Sequence, residues 1–159
     1  MTAFDFIQFK LPAKPEYVGV IRLTLSGVAN RMGFSYEAIE DLKIAISEAT
    51  TNVVSHAYEN EYSGELNIGF AIYEDRLEVM VSDQGTGFDL QEVKERIGPV
   101  SRKEEMKPVA DLREGGFGLF LINTLMDEVQ INNEYGVMVL MTKYLDEAEV
   151  DINDSVPST

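Results

Sequence analysis

The 159 residues fall in the range of one domain, long enough to bury a core, and no apolar run approaches the roughly 20 residues that span a bilayer. Cysteine is absent and histidine occurs once, as His56, which excludes disulfides, thiolate chemistry and multi-histidine metal centres. With 28 acidic against 13 basic residues the formal net charge is −15, a field that repels nucleic-acid phosphates and favours a basic protein partner.

Residues 1–11 set Asp5 before Lys10 with no basic region ahead of a long apolar stretch, so no signal peptide or membrane attachment is expected and the cytoplasm is the expected location. Phe4 to Leu11 alternates Ile7, Phe9 and Leu11, the pattern of a half-buried strand that Pro12 and Pro15 stop. Glu16 to Met32 spaces Val20, Ile21, Leu25, Val28 and Met32 as an amphipathic helix closed by Gly33. Ser35 caps the next helix, which lines one face with Ile39, Leu42, Ile46, Ala49 and Val53 as far as Ala57.

After residue 64 the period changes to two. Leu66, Ile68, Phe70 and Ile72, then Leu77, Val79 and Val81, predict a β-hairpin turning at Glu74-Asp75-Arg76. Residues 82–88 form a glycine-punctuated loop, and the 25 residues from Asp89 to Arg113 read as a lid or binding loop with a short helix over 90–96. From Gly116 a helix is expected with its stripe on Phe117, Phe120, Leu121, Thr124, Leu125 and Glu128. Val129–Asn133 and Val137–Leu145 then predict a closing hairpin. Residues 1–146 read as a single domain and 147–159 as a disordered acidic tail. The order of elements fits an α+β fold, a two-layer sandwich with helices on one face of a mixed, mostly antiparallel sheet. The other face is expected to be open or used by a partner.

Three segments carry chemistry. Glu48 and Asn52, four apart on a helix, stand one above the other with His56 a further turn along. A carboxylate beside a carboxamide can orient a hydroxyl and complete the shell of a hard, oxygen-loving cation such as magnesium. Such a pair is also what the wet side of an ordinary helix presents. Asp83-Gln-Gly85-Thr-Gly87-Phe88 follows a strand, where glycines let the backbone approach a ligand closely and Asp83 can accept a hydrogen bond from an exocyclic amine; the same residues also make plain turns. Arg113 then precedes Glu114-Gly115-Gly116-Phe117-Gly118, which opens a helix whose exposed amides suit an anion, or serves as a hinge. Neither glycine segment is a dinucleotide fingerprint or a lysine-containing phosphate loop.

In order and spacing these segments resemble the asparagine box and two glycine boxes of the Bergerat-type ATPase superfamily, which includes gyrase, the heat-shock 90 chaperones, histidine kinases and MutL proteins. Residues Pro15–Gly19, Ile21–Gly27, Ile39–Ala45 and Leu125–Val129 are further similar to the anti-sigma-B factors of Gram-positive bacteria, which are serine-protein kinases. The resemblance spans residues 6–145. It implies Mg2+ and ATP as cofactors, with Asn52 holding the metal, Asp83 reading the adenine amine with help from Thr142, and Glu48 as general base toward a serine. Gly85, Gly87, Gly115, Gly116, Phe117 and Gly118 would shape the nucleotide pocket and lid, with Arg113 near a phosphate. The implied partners are an alternative sigma factor of the stress type and a small anti-anti-sigma protein phosphorylated on serine, the regulator itself being a homodimer. A sequestering protein without transfer, or an ATPase or kinase of the same fold in another switch, stands as the alternative.

Overall fold

A computed structural model describes residues 5–59, 64–83, 116–132 and 138–146. Strand β1 (Asp5–Pro12) leads through a 3-10 turn at Pro15–Tyr17 into α1 (Val18–Met32) and α2 (Tyr36–Glu59); then come β2 (Glu65–Ile72), β3 (Arg76–Ser82), α3 (Gly116–Leu125), β4 (Glu128–Asn132) and β5 (Met138–Tyr144). Both helix boundaries read from sequence have their physical cause. Gly33 adopts a left-handed φ of 93° and its amide bonds back to Ala29 and Asn30. The Ser35 hydroxyl accepts the Ala38 amide at 3.1 Å, an N-cap for α2.

The strands form one sheet in the order β1-β2-β3-β5-β4, and every pairing between described neighbours is antiparallel. The three helices cover one face. Ile21, Leu25 and Ala29 of α1, with Leu42, Ile46, Ala49 and Val53 of α2, meet Leu66, Ile68, Phe70, Leu77, Val79, Val81 and Met141 of the sheet. Each large side chain buried this completely contributes roughly 1.5–3 kcal/mol relative to exposure. Lys143 ties the layers together, since its Nζ donates to the Leu125 carbonyl at 2.7 Å, at the carbonyl end of α3, and lies 3.7 Å from Asp41 of α2.

Three expectations need correction. Val20 is 46% exposed, because α1 turns its Ile21–Leu25–Ala29 row to the sheet and leaves Val20 and Leu23 outside. Residues of α3 are apolar almost all round, so periodicity cannot select its inner face. The structure buries Gly118, Ile122 and Met126, leaves Phe120 and Thr124 exposed, and gives Glu128 to β4. The second face of the central strands is not open either: Asn67, Ala71, Met80 and Ser82 are fully buried. The predicted helix over 90–96, the lid, the last turn and the tail lie outside the described residues.

Candidate functional site

Topology brings α2's carboxyl-terminal half to one end of the sheet. The connection from Glu59 to Glu65 is short, and β2 starts where β3 finishes, with Asn67 opposite Ser82. Asp83, the first residue beyond β3, therefore sits at the end toward which Asn52 points along α2. It is only 7% exposed.

The start of α3 closes on this end from the other side. A methyl group placed on Gly118 would stand 2.9 Å from Oε2 of Glu48, 3.4 Å from Nδ2 of Asn52 and 3.6 Å from its Oδ1. A side chain here would make the Glu48 carboxylate or the first turn of α3 shift. The backbone of α3's first turn is thus laid directly against the carboxylate and carboxamide, which are one turn apart on α2. Nδ2 of Asn52 is buried with no hydrogen-bond partner among the described residues. That arrangement sets the first turn of α3, whose dipole favours an anion, beside one carboxylate and one carboxamide. No group of three or more aspartate, glutamate or histidine side chains placed to hold a metal ion occurs among the described residues. A hard cation held here takes most of its ligands from the bound anion and water.

Glu48 has a second outlook. Between α1 and α2 runs a groove of about 580 Å³ lined by Arg22, Leu23, Lys43 and Ile44 and ending on Glu48. Its carboxylate stands where this outer groove meets the space in front of α3.

Of the residues expected from sequence, the structure brings together Glu48, Asn52 and Gly118, with Asp83 at the same end of the fold. Gly116 and Phe117 open α3 as its first two residues. Gly85, Gly87, Arg113 and Gly115 lie outside the described residues. Thr142 is not brought to the site. Its register partner on β3 is Glu78, four positions before Ser82, which at a strand rise of about 3.3 Å per residue is roughly 13 Å from the end where Asp83 lies. The position beside Ser82 on β5 belongs to Met138. Asn67 was not singled out from sequence: it is fully buried opposite Ser82, and neither of its amide atoms has a hydrogen-bond partner. Asparagine is disfavoured within strands, and its presence in an otherwise apolar one was the available signal.

The model of the histidine kinase-like ATPase domain matches residues 11–143, from the end of β1 to β5. The chain belongs to this family. Membership implies that this domain binds ATP. Among curated proteins, the chain is 63% identical over 159 residues to the serine-protein kinase RsbW of Oceanobacillus iheyensis, covering 100% of this chain and 99% of that protein. It is 55% identical over 157 residues to the serine-protein kinase RsbW of Bacillus cereus, covering 99% of this chain and 95% of the other. The protein of the same name from Bacillus velezensis is 54% identical over 150 residues, 94% of this chain and 92% of that one. As a histidine kinase-like ATPase domain, the chain has no described helix long and apolar enough to cross a membrane.

Proposed function

We propose that this chain is an ATP-dependent protein serine kinase that doubles as an anti-sigma factor in the cytoplasm, a homodimer that sequesters a general-stress sigma factor and phosphorylates its small anti-anti-sigma antagonist on serine. Support for the enzyme comes from near full-length identity to proteins named serine-protein kinases. Support for the chemistry comes from one observation, that a β-carbon on Gly118 would meet both the Glu48 carboxylate and the Asn52 carboxamide.

When bound, ATP with Mg2+ supplies an activated phosphoryl group whose charge the metal offsets. Asn52 would hold the metal through Oδ1. Amides of α3's first turn would receive phosphate oxygens. Asp83 would accept from the adenine amine, Gly85, Gly87, Gly115 and Gly116 would let the backbone come close to the nucleotide, and Arg113 would offer its charge to a phosphate. Glu48 orients the serine hydroxyl and takes its proton. Its place at the end of the outer groove suits that role, since a protein hydroxyl can arrive from the α1–α2 side while the nucleotide lies on the α3 side. Phosphoryl transfer demands position and charge neutralisation, which this arrangement provides.

The test is transfer of labelled phosphate from Mg-ATP to the antagonist protein. Asn52→Ala is expected to abolish labelling by weakening Mg-ATP binding. Glu48→Gln should retain the nucleotide and slow transfer by about 10²–10⁴-fold, the usual contribution of a positioned base. Transfer at the normal rate by Glu48→Gln would remove the base from the mechanism. Tight ATP binding with no labelling by the unaltered chain would leave a sequestering protein or an ATPase.

A further inference from the structure

Helix α3 packs along α2, and the two ends of that contact are fixed by different means. At the amino end a β-carbon on Gly118 would stand 2.9 Å from Oε2 of Glu48. At the carbonyl end Lys143 intervenes. Its side chain leaves β5 on the helix-facing side, in step with the core residues Val139 and Met141, and its Nζ donates to the Leu125 carbonyl at 2.7 Å and lies 3.7 Å from Oδ2 of Asp41. Leu125 closes α3, so this carbonyl is among those that a helix end leaves without an internal partner, and a cation there also meets the negative end of the dipole. The residues on either side of Lys143 hold the turn that follows: the Asp127 amide donates to the Thr142 carbonyl at 2.9 Å, and the Tyr144 amide donates to the Asp127 carboxylate at 2.7 Å.

Gly118 lies at Glu48 while Leu125 lies toward Asp41, so the two helices run antiparallel. Gly118 to Leu125 and Asp41 to Glu48 are each a step of seven residues, which at about 1.5 Å per residue is roughly 10 Å along either helix. The pair is therefore joined at two points the same distance apart. Helix α3 is a short rod of 10 residues, its near end against Glu48 and Asn52 and its far end held by Lys143. Released at the far end, such a rod pivots, and Gly118 at the near end has no side chain to resist the movement. We propose that Lys143 is a positioning residue: by pinning the carbonyl end of α3 to α2 and β5, it sets how closely the first turn of α3 lies against Glu48 and Asn52, and through that the rate of phosphate transfer. The proposal rests on the kinase reading above and adds to it a residue that touches none of the reacting groups.

Lys143→Met keeps an unbranched side chain and removes its charge. In transfer of labelled phosphate it is expected to lower kcat by about 10-fold or more with KM for the antagonist protein unchanged, because misplacement at the reacting groups is costly while the α1–α2 groove is untouched. Lys143→Arg, which still carries donors to both oxygens, should restore most of the rate. Asp41→Asn, which leaves the bond to Leu125 in place, should give a smaller loss of the same kind, and it carries the test if Lys143→Met does not fold. The chain has no cysteine, so spin labels on Leu23→Cys and Phe120→Cys, two exposed sites on α1 and α3, report where α3 stands. Their distance distribution should broaden in Lys143→Met and stay narrow in Lys143→Arg. A normal rate in a folded Lys143→Met, an unchanged distance distribution, or equal losses with methionine and arginine would overturn the proposal. An unaltered chain that transfers no phosphate would remove the kinase reading, and the label distances would still decide whether Lys143 sets the place of α3.

Discussion

Gly118 has no side chain to contribute, yet its position governs two that do. Because a β-carbon there would come within 2.9 Å of the Glu48 carboxylate, Gly118→Ala must displace either that group or the first turn of α3. A displacement of about 1 Å at a reacting group costs on the order of 10²-fold in rate. The expected outcome is a transfer rate reduced by about that factor with ATP affinity changed much less, measured by phosphate transfer beside equilibrium nucleotide binding. Equal losses in both would instead place the strain on the nucleotide itself. Glu48 and Asn52 were legible from their four-residue spacing, but the same spacing describes any solvated helix face. What distinguishes them is the glycine backbone laid against them, a contact 66 residues from Asn52 along the chain. Thr142 shows the converse: a polar residue on the last strand matched an expected pattern, and only the register places it opposite Glu78, with Met138 beside Ser82.

At the scale of elements, the seam between β4 and β5 carries a pH signature. The Tyr144 hydroxyl donates to Oε1 of Glu128 at 3.3 Å, and partial burial, followed by the nearby Glu128 charge, pushes its pKa above the ordinary tyrosine value. A phenol that is harder to ionise in the fold than in the unfolded chain stabilises the fold fully below the ordinary value of about 10, and that contribution fades as pH rises through the raised one. Alkaline titration followed by absorbance should therefore show one of the seven tyrosines ionising late. Tyr144→Phe is expected to remove that late step alone; an unchanged profile would place the perturbed group elsewhere. This seam also shows why the α3 stripe was misassigned. Helix α3 ends at Leu125 because the chain must turn into β4 within three residues, where the Asp127 amide bonds the Thr142 carbonyl at 2.9 Å and its carboxylate accepts the Tyr144 amide at 2.7 Å.

For the whole molecule the dominant quantity is the charge of −15. Self-repulsion of that size opposes the folded state at low ionic strength. Raising salt shortens the screening length from about 30 Å at 0.01 M to about 8 Å at 0.15 M, so the melting temperature is expected to rise over that interval by a few degrees. Scanning calorimetry in a buffer without magnesium or nucleotide checks this, and a flat response would mean that acids and bases are paired well enough to cancel the repulsion. The sequence by itself determined the element types, both boundaries of the α1–α2 connection and the hairpin of β2 and β3, because capping and periodicity are local and act within a few residues. It also marked Glu48, Asn52 and the glycine segments, since chemistry restricts residue type and spacing. Only the tertiary structure decided which row of α1 and α3 turns inward, that the second face of the central strands is buried, that Gly118 abuts Glu48 and Asn52, and that Thr142 stands apart. Those outcomes depend on strand register and on which element packs against which, and such long-range pairings leave no periodic trace in the chain that makes them.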